Sequence, residues 1–463
     1  MTIAIGDASP KAAPLSSALR ARHVAMIALG GVIGAGLFVG SSAAILAAGP
    51  AVLASYAIAG TIAILVMRML GEMAVARPGL GSFNAYIRLA LGPRASFVSA
   101  WLYWYFWIIA VGAETIAGAS LLHDWIALPV WLIGLVLIVL LTATNLMSVK
   151  AYGEFEYWFS LIKVAAIIAF IAIAAGHLGS QPRVGHRRWR ALLSSGGLLP
   201  KGFAAVLGAV PIVIFSLTGS EIASIAAAES EDPPGNVARA SRTVALRIVI
   251  FYLLAVALIV ATVPWASLKS GQSPFVAAMQ VIGIPGAATL MRAIILVAVL
   301  SCLNSGLYVC SRTMFELADA GDAPRALVAT GPNKVPTRAI LLGGLAGFLA
   351  AIASVLSPGL VFAFLLATSG SVILVVYLLV ALAQIADRRR RDVAGERPAF
   401  AIWLFPWLSY ATIAGIVAIF VTMVFLPDQR LQLMASTGSV AVVAGAAFAR
   451  TPRHTAATAS GNG

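Results

Sequence analysis

The run VAMIALGGVIGAGLFVGSSAAIL, residues 24–46, decides the fold. It is apolar for longer than the roughly 20 residues a helix needs to cross a hydrocarbon core about 30 Å thick. Runs of the same kind recur as far as Phe448, with expected spans at 25–47, 52–72, 96–121, 129–148, 157–176, 204–227, 244–264, 290–317, 338–356, 360–386, 402–426 and 432–449. The chain is 61% hydrophobic and 10% charged, against about 25% charged in an ordinary soluble domain. That composition excludes a soluble globule. The expected fold class is all-α integral membrane with about twelve transmembrane helices, because lipid-exposed backbone must satisfy its own hydrogen bonds.

The first span is interrupted by GGVIGAG, residues 30–36, and the sixth by FSLTGSE, residues 215–221. Transporters often repeat a helical unit with inverted topology and bind their cargo where two interrupted helices meet at the midplane. Breaks five spans apart fit a five-plus-five repeat, with spans eleven and twelve outside it. The two halves do not match residue for residue, so the repeat is inferred from the spacing of the breaks. Glycines can equally serve close helix packing; the paired breaks, the second ending in an acid, favour a binding site.

A net charge of +14 could signal nucleic acid, but the placement of Lys and Arg argues for topology instead. With both termini in the cytoplasm, most basic residues fall inside, including Arg20, Arg22, Arg77, Arg88, Arg239 and the run Arg388 to Arg391, as the positive-inside rule requires. Arg183, Arg187, Arg188 and Arg190 oppose it in a long loop, where charge constrains orientation less. The expected organisation is a cytoplasmic segment at 1–23, a ten-helix core at 24–386, a basic cytoplasmic loop at 387–401, two further helices at 402–449 and a tail at 450–463. No nucleic-acid partner is expected, and the lipid bilayer is the surrounding medium. Cys302 and Cys310 are eight residues apart on one span, about 12 Å along a helix axis, too far for a disulfide, and read as packing residues.

Ionisable residues inside the spans are the candidates for chemistry, since an ionised carboxylate at the bilayer centre costs at least about 2.5 kcal/mol. Glu221 lies midway along the sixth span and reads either as a transport or proton-coupling group or as a structural link across the break. Glu114 follows the aromatic run WLYWYFW, residues 101–107; it can line a cavity or pair within the bundle, and the run itself reads as packing and interfacial belt. Lys163 interrupts the fifth span. A buried amine is readily pushed toward neutrality, which suits a proton carrier, but on the residues alone snorkelling to the cytoplasmic side is favoured. Asn145, Asn304, Thr368, Ser369 and Ser371 read as interhelical glue. There is no GxxxxGK[ST] loop, no HExxH, and no cluster of Cys and His of the kind zinc takes. No enzyme, metal or cofactor is expected.

Ordered along the chain, RHVAMIALGGVIGAGLFVGSS, AGPAVL, MRMLGEMAVARPGLGSF, NLMSVKAYGEFEYWFSLIKV, FSLTGSEIASIAAAESEDP, SCLNSGLYVCSR and GDAP resemble the bacterial amino acid permeases of the amino acid/polyamine/organocation superfamily. The segments AVARPGLGSF, IASIAAAES and SGSVILVVYLLVALAQ resemble its GABA (4-aminobutyrate) permease branch. The resemblance implies a LeuT-like five-plus-five inverted repeat with first and sixth helices broken at the midplane. It implies that the backbone N–H groups of Gly34, Ala35 and Gly36 receive a substrate carboxylate, as exposed N–H groups at a half-helix start favour anions. The carbonyls of Val32, Phe215 and Thr218 would receive the ammonium, with Ser216 and Gly219 in the same segment and Phe215 as a lid. Many related permeases have Thr where this chain has Ala35, so one hydroxyl is missing from the site. Lys163 matches the lysine that stands in for a coupling cation in proton-driven relatives, which shifts its reading from snorkelling to function; Glu221 stays a second proton-coupling candidate on its place in the sixth span alone. The implied function is secondary active uptake of GABA or a related small amino acid in the bacterial inner membrane, driven by a proton gradient through alternating access. A broader aromatic or neutral amino acid permease or exchanger is the alternative. A nutrient receptor that does not transport is a more distant one, expected to carry a sizeable soluble extension.

Overall fold

The computed structural model describes residues 33–78, 80, 82–146, 149–180, 197–219, 233–331 and 335–450, with the backbone alone at 149–155 and 233–234. Among them every regular element is helical. In chain order these are α1 Ala35–Phe38, α2 Gly40–Ala48, α3 Val52–Ala76, α4 Phe83–Leu91, α5 Pro93–His123, α6 Val130–Asn145, α7 Val149–Ser180, α8 Gly202–Leu217, α9 Pro233–Arg247, α10 Ala255–Thr262, α11 Pro274–Ile282, α12 Ala287–Asp319, α13 Thr337–Ala353, α14 Pro358–Val393, α15 Trp407–Phe425 and α16 Arg430–Ala449. A π-helical stretch, Ile248–Leu254, joins α9 to α10. Among the described residues each of the twelve expected spans overlaps a helix, 25–32 of the first and 220–227 of the sixth lying outside them, and eight apolar stretches there are long enough to cross a membrane by length and composition. Gly49 and Pro50 form a turn that divides the longest of these, Gly40–Ala76, into α2 and α3.

The first expected break is present, and at the second the helix ends where expected, the residues after Gly219 lying outside those described. Gly34 is not helical, α1 lasts one turn, and Val39 at φ −122° interrupts the run before α2. α8 stops at Leu217, with Thr218 extended and Gly219 at φ +99°. The two broken helices cross closely. A Cβ added at Gly36 would lie 2.8 Å from the Cα of Ser216, so only glycine lets the backbones meet there. α14 approaches α8 closer still: a Cβ at Gly370 would overlap the carbonyl of Pro211. The Tyr252 hydroxyl, from the π-helical stretch, donates to the Ser216 carbonyl at 2.8 Å and takes up an acceptor that the end of α8 leaves free. α5 and α14 are the most enclosed long spans, whereas α15 and α16 lie at the periphery, mostly outside the packed bundle.

Several features depart from the sequence reading. α4 and α11 are short helices between spans, too brief to give an apolar run of membrane length. α14 continues to Val393, so the loop expected at 387–401 is helical in its first part, and the run Arg388 to Arg391 lies on that helix. There the buried carboxylate of Glu72 accepts from Arg388 and Arg391 at 3.0 Å each, from Gln384 at 3.2 Å and from the backbone of Ile402 at 2.8 Å. Asp387 adds ion pairs to Arg77 at 3.2 Å and Arg391 at 2.8 Å. This network fastens α3, α14 and the segment before α15 at one end of the bundle. A buried carboxylate with four donors is the arrangement that offsets desolvation.

Candidate functional site

At the first break the amide of Ala35 is not free. It donates to both carboxylate oxygens of Glu114, from the middle of α5, at 3.0 Å each. Cys302 of α12 packs beside the same carboxyl. A Cβ at Gly34 would fall 2.5 Å from both Cys302 Sγ and Glu114 Oε1, which shows how tightly the three elements converge. Beside them is a cavity of about 20 Å³, lined by Gly36, Glu114 and Cys302, by Phe215, Ser216 and Thr218 of the second break, and by Phe106, Trp107, Ala110 and Gly306. That volume holds about one water and no amino acid.

Residues expected at the site from both breaks therefore come together. Gly36, Phe215, Ser216 and Thr218 line the cavity, and Gly34 and Ala35 meet Glu114 at its edge. Val32 and Glu221 lie outside the described residues. Glu114 does both things expected of it, lining the cavity and pairing within the bundle with the Ala35 amide. The Phe215 ring packs on Phe106, with centroids 5.8 Å apart. Part of the aromatic run is thus cavity wall and not membrane belt, because α5 turns Phe106 and Trp107 inward. The Trp107 indole N–H is buried and has no partner among the described residues. Cys302 belongs to the site and is not mere packing, while Cys310 is buried away from it. Asn145 donates to Asn304 at 2.6 Å and ties α6 to α12, as interhelical glue should.

Lys163 does not snorkel. Its side chain is 0% exposed and its Nζ lies 3.5 Å from Glu156 Oε1. Glu156 is a residue that the sequence reading misses. The signal that could have found it is its spacing, seven residues or about two turns before Lys163 on one helix face.

A second cavity, about 700 Å³, opens at the end of the bundle where α5 stops and α14 begins. Its walls carry Asp124 and Arg292, paired at 3.2 Å, together with His123 and Lys269. It reaches down α5 to Ile116 and Ala117, within a turn of Glu114. The opposite end of the bundle is the one fastened by Glu72.

Comparison with known proteins agrees with this architecture. A family model described as amino acid permease matches residues 23–449. The chain belongs to the amino acid permease family. The permease is 44% identical over 427 residues to the gamma-aminobutyric acid permease of Bacillus subtilis (strain 168), covering 91% of this chain and 90% of that one. It is 46% identical over 428 residues to the probable GABA permease of Pseudomonas aeruginosa, covering 92% and 90%. The aromatic amino acid transport protein AroP of Corynebacterium glutamicum is 39% identical over 416 residues, covering 88% and 89%. A solved structure, that of a single-residue mutant of the Eremococcus coleocola manganese transporter, superposes with a TM-score of 0.54 at 14% identity, covering 92% of this permease and 93% of that chain. That likeness speaks for the fold alone, a multi-pass membrane fold of the five-plus-five, LeuT-like kind.

Proposed function

We propose that this permease carries GABA or a closely related small amino acid into a bacterial cell across the inner membrane, driven by the proton gradient, with both termini in the cytoplasm. The observation that carries the reading is the Ala35 amide, which already holds a carboxylate, that of Glu114. An incoming amino acid presents the same group. Its carboxylate takes the amides of Gly34 to Gly36 as Glu114 swings away, which also enlarges a cavity otherwise too small. Its ammonium faces the carbonyls at the second break, Phe215 and Thr218, where the partial negative charge of a helix end collects. Val32 is the third carbonyl in this reading. The names of the relatives support GABA as the substrate. With the termini inside, the 700 Å³ vestibule faces outward and the Glu72 network seals the inner end, an arrangement that fits alternating access. Coupling to protons rests on the buried Lys163 and the acids around it.

A second reading is favoured by one observation: Phe106, Trp107 and Phe215 line the cavity, which suits an aromatic side chain. The test is uptake of radiolabelled GABA into proteoliposomes with and without an inward proton gradient, and with phenylalanine as competitor. Gradient-driven accumulation that phenylalanine leaves untouched supports GABA uptake. Accumulation of phenylalanine in place of GABA supports the second reading and discards the first.

A further inference from the structure

At the second break the side-chain hydroxyls are already spent. Ser216 Oγ donates to the Val213 carbonyl at 2.7 Å and Thr218 Oγ1 to the Ile214 carbonyl at 2.8 Å, so both are turned back onto α8. What the end of a helix leaves over is acceptors, the carbonyls of its last turn. One of these, on Ser216, is held from outside the site by the Tyr252 hydroxyl, which donates to it at 2.8 Å. Ser216 lines the cavity and marks the point where the two broken helices cross, its Cα 2.8 Å from the place a Cβ on Gly36 would take. Tyr252 is wholly buried and stands behind that crossing, outside the cavity wall, its ring packed on Tyr56 of α3 with centroids 6.3 Å apart. It belongs to the π-helical stretch Ile248–Leu254, in which only Ile248 and Tyr252 are buried. The stretch is seated closely on α3, since a Cβ at Gly60 would lie 2.7 Å from Ile248 Cγ2. Helical turns of this kind are rare and occur often at functional sites.

A carbonyl oxygen has two lone pairs. A donor on one of them fixes the direction of the group and leaves the other for a ligand. We propose that Tyr252 is a positioning residue for the substrate ammonium: its hydroxyl fixes the Ser216 carbonyl as one of the acceptors at the second break, and the π-helical stretch keeps Tyr252 in place to do so. Without that bond the peptide group at the end of α8 is free to turn, and an acceptor that the ligand must first orient binds it more weakly. Only a ligand with an ammonium feels the difference, because the carboxylate is received at the other break. This rests on the reading of the chain as an amino acid carrier that holds the two ends of its substrate at the two breaks.

The experiment is equilibrium displacement of a radiolabelled amino acid from protein in nanodiscs, the label being GABA or whichever amino acid of a panel the natural protein binds. Two competitors are compared, the unlabelled amino acid and the same acid without its amino group, which for GABA is butyrate. Tyr252→Phe keeps the ring and loses the donor. It is expected to weaken the amino acid about fivefold, the worth of one neutral hydrogen bond, and to leave the deaminated acid unmoved. Any other pattern, with both weakened equally or neither weakened, overturns the proposal and leaves the carrier reading standing. A second measurement does not depend on how the variant folds. The natural protein is expected to bind the N-trimethylated amino acid, which keeps the charge but has no N–H, about tenfold or more weakly than the amino acid itself. Equal affinity overturns the proposal, because an ammonium that needs no acceptor needs none positioned. A natural protein that binds no amino acid of the panel discards the carrier reading and this proposal together.

Discussion

Glu114→Gln separates competition from ligation at the proposed substrate site. The Glu114 carboxylate holds the Ala35 amide through both oxygens at 3.0 Å. A hydrogen bond to a charged group contributes about 1.5–3 kcal/mol net and a neutral one about 1 kcal/mol. Glutamine keeps the shape and one acceptor, so displacing it costs the substrate about 0.5–2 kcal/mol less. That difference corresponds to roughly 2- to 30-fold tighter binding. Losing the like charge beside the substrate carboxylate acts in the same direction. The assay is equilibrium binding of a radiolabelled amino acid to purified protein in nanodiscs, with elution from a sizing column as the check on folding. A folded Glu114→Gln protein that binds fivefold or more weakly refutes the reasoning. Glu114 would then be a direct ligand of the substrate ammonium and not a stand-in for its carboxylate.

Two further outcomes follow from the packing. Gly370→Ala sets a methyl group against the backbone carbonyl of Pro211, which cannot rotate away; the cost exceeds the usual overpacking range of about 1–3 kcal/mol, and folded protein recovered from membranes is expected to vanish, whereas Gly445→Ala, with open space around it, is expected to express normally. Cys302 borders the cavity, so a small maleimide is expected to block uptake, saturating substrate to slow the block, and Cys302→Ser to resist it, all read by initial uptake rates.

Much of the fold is legible because lipid imposes a simple rule: a run of about 20 apolar residues becomes a helix. The breaks at Gly34 and Gly219 are legible for the same reason, since small and polar residues stand out inside such runs. What the sequence conceals is which side of a helix faces what. WLYWYFW is aromatic whichever way it points, and only the packing of α5 sends Phe106 and Trp107 to the cavity. Glu72 and Glu156 lie in segments that look like the ends of spans, where acids are ordinary; their burial comes from arginines and serines on distant helices, Arg388, Arg391 and Ser301. The continuation of α14 to Val393 is hidden likewise, because its charged last turns read as a loop until Glu72 and Asp387 are seen to neutralise them.

The small size of the central cavity has an electrical consequence. The cavity between the breaks has room for about one water, too little for a file of waters within it. On the proposed reading a carrier must not short-circuit the gradient that drives it, and Glu114, filling the gap proposed for the cargo, would make the protein its own insulator between one passenger and the next.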